Sequence, residues 1–327
     1  ARCPLVHPAA PMQPSQSSAA FDVAVMGSVV YDLIAYVDTA VRPGETRIGS
    51  SFGMGAGGKG ANQCTMASFL GSRAAMVGKI GDDLFGQEYM KYFSKHGIHT
   101  EHLLMEAGAS TGVASITVTG GGENTIVVVP GANFRLTPAD IDRAAGVLAA
   151  AKVVVCQLEV PTDVTTRALK IAREAGAMTI LNPAPAPVTP TPPELLALAD
   201  VVCPNQQEAT AITGLPCTTD QDVDAVLRRL RDLGCRLPMV TLGASGVAFL
   251  DGDQVLRVPA PAVEAIDTTG AGDAFMGSLA HFCACRPDLP MAARVSRAVR
   301  IAAISVTRPG TQTSFPHREE LPADLRD

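Results

Sequence analysis

The chain has 327 residues, enough for one large domain or two small ones. Apolar residues make up 47% and charged residues 18%, a balance that excludes a disordered chain. The net charge of -6, with no basic stripe, argues against a nucleic-acid partner, and no apolar run reaches the length of a membrane span.

Residues 1–20 are rich in Pro, Ser and Ala and lack the apolar core of a secretory signal, so they read as a disordered tail before a domain over 21–327. Residues 21–26 alternate as a strand and end at Gly27-Ser28. Short β segments are expected at 33–37 and 47–52, broken by Pro43-Gly44, then a helix over 61–70, a strand over 74–79 and a helix over 84–96. The stretch 112–129 is rich in Thr, Val and Ile around Gly120-Gly121-Gly122, a hairpin signal. Thr137 with Asp140 opens a helix to about 151. Strands at 153–158, 178–181, 201–203 and 239–242 then alternate with helices at 164–175, near 194 and at 222–233. A hairpin over 247–258 and helices over 271–285 and 291–307 close the chain. This rhythm predicts an α/β fold with a mostly parallel sheet, helices on both faces and ligands at the carboxyl ends of the strands. The eight cysteines form no CxxC pair and lie mostly in apolar runs, which reads as buried thiols in a reducing compartment. The six histidines read as surface or structural groups.

Two glycine-rich segments carry the chemistry. In Asp267-Thr268-Thr269-Gly270-Ala271-Gly272-Asp273 two carboxylates flank a small-residue turn that runs into a helical pattern. Backbone N–H groups crowd at such a turn, and the helix N-terminus adds positive potential for an anion. Asp273 is then well placed to accept a proton from an alcohol attacking a phosphoryl group; a plain Asp-capped turn is the competing reading. The second segment, Gly53 to Gln63, also leads into an apolar helix. Gly60 follows Lys59 where a P-loop needs Ser or Thr, and no strand–GxGxxG–helix unit is apparent, so neither phosphate-loop nor dinucleotide signature fits.

Together, GGKGAN (57–62) and DTTGAGD (267–273) resemble the two signatures of the ribokinase family of sugar kinases, also called the PfkB family. Further short stretches bring the resemblance closer to the ribokinases within it: Pro130-Gly131-Ala132-Asn133, Gln157-Leu158-Glu159, Asn182-Pro183-Ala184-Pro185-Ala186, Pro204-Asn205 and Thr241-Leu242-Gly243. The resemblance implies a three-layer α/β/α fold with a small β-sheet lid, whose strands would come from about 30–53 and 108–130, and a homodimer joined through the lids. It implies ATP-dependent phosphorylation of D-ribose at O5, and the reducing compartment read from the cysteines is expected to be the cytoplasm, with the nucleus or another organelle as alternatives. Asp273 would be the general base, and Gly270, Ala271 and Gly272 would supply the anion hole. Asp32, Gly58, Lys59, Asn62, Glu159 and Asp273 match the sugar-binding positions; a turn residue and a strand-end surface charge are the competing readings for Asp32 and Glu159.

Asn205 and Glu208 match the N-x-x-E element that organises water around Mg²⁺, although the same pattern also reads as a helix N-cap. Thr241, Gly243, Ser245, Gly246 and Gly272 match the nucleotide-binding positions. Asp267 and Thr269, with Ser305, Arg308, Gly310 and Ser314, match a K⁺ site, against a plain C-terminal loop. One position departs from the family: the bacterial Gly-Ser-x-Asn-x-Asp pattern reads Gly27-Ser28-Val29-Val30-Tyr31-Asp32, which removes a side-chain donor to the sugar. Kinases of the same family acting on deoxyribose, a nucleoside or a ketohexose remain alternatives, as does a catalytically silent sugar-binding protein.

Overall fold

The computed structural model describes residues 20–187 and 190–326; the tail expected over 1–20 lies outside them except for its last residue. The strands are β1 (Phe21–Met26), β2 (Val30–Val37), β3 (Ser51–Gly57), β4 (Ala74–Gly81), β5 (Leu103–Glu106), β6 (Gly112–Thr119), β7 (Asn124–Val129), β8 (Ala151–Cys156), β9 (Met178–Leu181), β10 (Val201–Val202), β11 (Leu237–Thr241), β12 (Val247–Asp251) and β13 (Gln254–Val258). The helices are α1 (Lys59–Phe69), α2 (Leu84–Lys95), α3 (Pro138–Arg143), α4 (Ala145–Ala149), α5 (Thr162–Glu174), α6 (Pro193–Leu198), α7 (Gln206–Thr213), α8 (Asp220–Asp232), α9 (Ala271–Cys285), α10 (Met291–Ser305) and α11 (Ala323–Arg326).

Nine strands form one sheet in the order β13-β12-β11-β10-β9-β8-β1-β4-β5. It is parallel from β11 to β5, with β12 and β13 added antiparallel. Alternation in β1 shows how both faces are covered. Val23 and Val25 pack with Ala61, Tyr89, Phe275 and Val295 from α1, α2, α9 and α10. Ala24 and Met26 pack with Ile141, Leu169, Leu195 and Leu227 from α3, α5, α6 and α8. All eight residues of β4 are buried, as a parallel strand covered on both faces requires. The α/β/α layering expected from the sequence is therefore present.

From β1 the chain moves outward to β4 and β5, and later returns to β8 on the other side of β1 before moving outward again. The crevice between β1 and β8 is thus the switch point of the sheet, where open α/β sheets bind ligands.

A separate four-stranded sheet has the order β3-β2-β6-β7. β2 pairs antiparallel with β3 and parallel with β6, and β6 with β7 forms the expected hairpin. The strand expected at 47–52 instead runs over Ser51–Gly57, so the first half of the glycine segment is strand, not loop. Packing gives the reason: a Cβ at Gly57 would lie 2.4 Å from Asp32 Oδ2 on the paired strand side. The single helix expected over 137–151 is two, α3 and α4, broken at Ala144 just before Gly146, a weak helix former. The capping box read at Thr137 and Asp140 is present, with Asp140 N donating to Thr137 Oγ1 at 3.3 Å.

Candidate active site

Ser28, Glu159, Asn205 and Thr241 follow or close the carboxyl ends of β1, β8, β10 and β11, which brings segments distant in sequence to one edge of the sheet. Asp273 lies in the first turn of α9 and is only 7% exposed. Its Oδ2 accepts from Asn62 Nδ2 at 2.8 Å and its Oδ1 from Gln63 Nε2 at 2.9 Å. Both donors stand near the start of α1, Asn62 closing its first turn and Gln63 opening the second. The two helices approach closely because Gly277 has no side chain: a Cβ there would lie 2.5 Å from the Gln63 carbonyl and 2.7 Å from Met66 Cβ. Gly270 starts α9 with φ 77°, a conformation open to glycine, and no side chain caps that end. The Ala271 N–H bonds the Thr268 carbonyl at 3.2 Å, while the helix end with Gly272 borders a cavity.

The expected sugar residues gather beside this turn. Ser28 Oγ donates to Glu159 Oε2 at 2.5 Å, and the Lys59 N–H reaches the same oxygen at 3.0 Å. Half-buried Glu159 therefore bridges β8 to the start of α1 across the switch point. Gly60 lets α1 begin against β1, since a Cβ there would lie 2.6 Å from Ser28 N. Asp32, on β2, carries a carboxyl pushed up to about 7 by burial first, then by the charges of Glu159 and Asp273. Burial pulls the Lys59 ammonium down, but Asp273, Glu159 and Glu208 outweigh it and hold its pKa above the ordinary lysine value. One cation thus faces a set of carboxylates. Val30, 5% exposed, opens β2 and offers no side-chain donor.

Asn205 and Glu208 form a reciprocal capping box on α7, each side chain accepting the other's backbone N–H at 2.8 Å. Glu208 is 5% exposed, and its carboxyl is raised by burial, with the Asn205 N–H and Lys59 opposing and Asp273 reinforcing. Thr241, Gly243 and Gly246 line a cavity of about 610 Å³ with Ala271, Gly272 and Phe275. Exposed Ser245 is not among its lining residues. A second cavity of about 770 Å³ lies between the small sheet, α2 and the C-terminal loop, lined by Asp32, Tyr89, Asp267, Thr269 and Gln312 among others.

Asp267 is tied into that loop: Oδ1 accepts from Thr269 N and Oδ2 from Gly310 N, both at 2.9 Å. Burial raises its carboxyl, but these bonds prevail and hold it below the usual range. Ser314 is fully buried and its hydroxyl donates to the Thr311 carbonyl, while Ser305 Oγ donates to Ala302 O. Arg308 pairs through its side chain with Glu320 at 3.0 Å. Among the described residues no cluster of three or more His, Cys, Asp or Glu could hold a metal ion. Hard-cation binding would rest on oxygen donors of the loop.

Two residues of this site, Gln63 and Gln312, had no motif to mark them, whereas Gln157 and Asn182 open two of the short family-like stretches. Gln63, Gln157, Asn182 and Gln312 are buried amides joined by hydrogen bonds across the site. Gln63 directly follows the GGKGAN signature, and that adjacency was the only available signal.

A profile for "pfkB family carbohydrate kinase" matches residues 20–318. Ribokinase from Mus musculus is 40% identical over 317 residues, covering 96% of this chain and 98% of the relative. Deoxyribokinase from Salmonella typhi is 39% identical over 300 residues, covering 92% and 97%. The structure of Arabidopsis thaliana ribokinase complexed with ribose and ATP superimposes with a TM-score of 0.85 at 27% identity, covering 93% of this chain and 98% of that one. The site and fold define a phosphotransferase acting on a sugar. The chain belongs to the pfkB family of carbohydrate kinases, and within it to the ribokinase-type sugar kinases.

Proposed function

We propose that the chain transfers the γ-phosphoryl group of ATP to O5 of D-ribose, giving D-ribose 5-phosphate and ADP. The observation that carries this reading is the buried Asp273 carboxylate, gripped by Asn62 and Gln63 at the uncapped start of α9, one residue beyond the Ala271-Gly272 rim of a cavity. Ribose would sit with its hydroxyls toward Asp32, Gly58, Lys59, Asn62 and Glu159, where carboxylates accept from adjacent O–H groups. The purine would enter the less polar cavity at Thr241, Gly243 and Gly246, with Ser245 at its outer edge. Asp273 takes the O5 proton as O5 attacks in line. The O5–phosphorus bond forms while the bond from the γ-phosphorus to the bridging oxygen of ADP breaks. First-turn N–H groups of the Gly270–Gly272 turn stabilise the charge on the transferring group. The small sheet acts as a lid that keeps water from competing with O5.

Buried Glu208, next to Asn205, suits the outer shell of a Mg²⁺ that keeps several waters, and that ion would neutralise phosphate charge. The carboxylate of Asp267, Thr269 and oxygen donors at Ser305, Arg308, Gly310 and Ser314 suit K⁺, which would stiffen the loop beside α9. Apolar side chains on the outer face of the lid suit a homodimer, and the buried thiols suit a cytoplasmic protein.

Val30 favours a second reading, in which 2-deoxy-D-ribose is also accepted, because the position lacks a donor for a hydroxyl. The test is ADP release with ribose and with deoxyribose, each with Mg·ATP in potassium and in sodium buffer. Ribose turnover that potassium raises severalfold is expected. Turnover confined to deoxyribose would move the assignment to that sugar, and equal rates in the two buffers would remove the K⁺ site.

A further inference from the structure

Asp273 terminates two chains of carboxamides, and the far ends of those chains fix the direction of each amide. The Cys203 carbonyl can only accept, so Asn182 Nδ2 donates to it at 2.8 Å. Asn182 Oδ1 then accepts from Gln63 Nε2 at 3.1 Å, and the other N–H of that nitrogen reaches Asp273. In the second chain Asn62 Nδ2 donates to Asp273, which leaves Asn62 Oδ1 to accept from Gln312 Nε2 at 2.8 Å. Gln312 is 4% exposed, and its Oε1 accepts from Thr65 Oγ1 at 3.2 Å. Its remaining N–H faces the Tyr89 hydroxyl at 3.4 Å. That hydroxyl meets the carbonyls of Gly57 and, at 3.1 Å, Val30, where β3 ends and β2 begins. Gln312 therefore stands between the root of the small sheet and the residue that grips Asp273. It is also two positions beyond Gly310, which Asp267 holds.

We propose that Gln312 is a positioning residue for phosphoryl transfer. It holds the Asn62 carboxamide with its N–H toward Asp273 and couples that orientation to the root of the lid and to the C-terminal loop. The proposal rests on reading Asp273 as the base. Without the Gln312 donor, the Asn62 Oδ1 loses its partner and the amide is free to tilt about its remaining bond, so its grip on Asp273 loosens. In a buried setting such a change displaces the carboxylate, and displacement by about 1 Å from the reacting geometry is worth about 10²-fold in rate. A residue that merely filled space would leave turnover unchanged when replaced at equal volume.

The test is steady-state ADP release with ribose and Mg·ATP for Gln312→Met, Tyr89→Phe, Asn62→Ala, the Asn62→Ala/Gln312→Met pair and Asp273→Asn. Gln312→Met should lower kcat about 10- to 100-fold with KM for both substrates within about threefold. In the Asn62→Ala background it should add less than about twofold, because its route to Asp273 is already cut. Tyr89→Phe should lower kcat severalfold. Unchanged kcat in Gln312→Met, or a full independent loss in the double variant, would overturn the proposal. If Gln312→Met does not fold, Tyr89→Phe carries the test, since it removes one oxygen and no volume, and a normal kcat there would sink the coupling. Normal turnover in Asp273→Asn would instead remove the base itself, whereas an inactive Asp273→Asn beside a normal Gln312→Met would remove only the relay.

Discussion

At the scale of residues, the site concentrates negative charge. Asp32, Glu159, Glu208 and Asp273 act on one another or on the single Lys59. Asp32 responds most openly, with its carboxyl pushed up to about 7 by burial and then by the charges of Glu159 and Asp273, and its own charge adds to the upward push that burial gives the Tyr89 hydroxyl. It is therefore substantially protonated at pH 6 and ionised at pH 8, and the ionised form, with both oxygens charged and acceptor-only, is the stronger partner for two adjacent sugar O–H groups. KM for ribose should fall as pH rises from 6 to 8, and Asp32→Asn should flatten that dependence. A pH-independent KM in the parent protein would remove Asp32 from the sugar site. The sign for stability follows from the same shift. An acid whose folded pKa is raised stabilises the fold at low pH and loses that contribution as pH climbs through about 7. The ligand-free protein should melt at a lower temperature at pH 8 than at pH 6, with Asp32→Asn narrowing the gap.

At the scale of elements, the crossing of α1 and α9 decides where the Asp273 carboxylate sits. Gly277→Val would force side-chain atoms into the Gln63 carbonyl and Met66, an overpacking that costs about 1–3 kcal/mol. Differential scanning calorimetry should show a lowered Tm, and turnover should fall more than the loss of folded protein accounts for. A stable but fully active variant would show that the helices separate without moving Asp273. Much of this framework was legible in the sequence. The bounds of α9 were readable because an αL glycine and a run of buried residues mark its start and course. The strand alternation was readable because both faces of the large sheet are buried. β3 was misplaced because Gly53, Gly55 and Gly57 carry no strand signal, and their role depends on what lies across from them. Gln63 and Gln312 were missed because an amide inside a helix or loop looks ordinary. Their partners lie 210 and 250 residues away.

For the whole molecule, the small sheet leaves apolar side chains in the open. Pairing register places Leu33, Phe52, Val127 and Val129 on the face away from Asp32, and Phe52, Val127 and Val129 are each more than half exposed. Such a face marks an association surface. Light scattering should give a dimer for the parent chain and a monomer for Val127→Lys, and a monomeric parent at micromolar concentration would rule out the lid-joined pair. The hydrogen-bonded groups behind the small sheet have a different character. The groups that hold Asp273 in place are amides and a threonine, backed by a tyrosine whose hydroxyl burial pushes well above its usual value. None of them gains or loses a proton across the range in which cells live. On the reading proposed above, the enzyme is thereby insulated: acidity regulates sugar capture through Asp32, while the aim of the Asp273 carboxylate stays fixed.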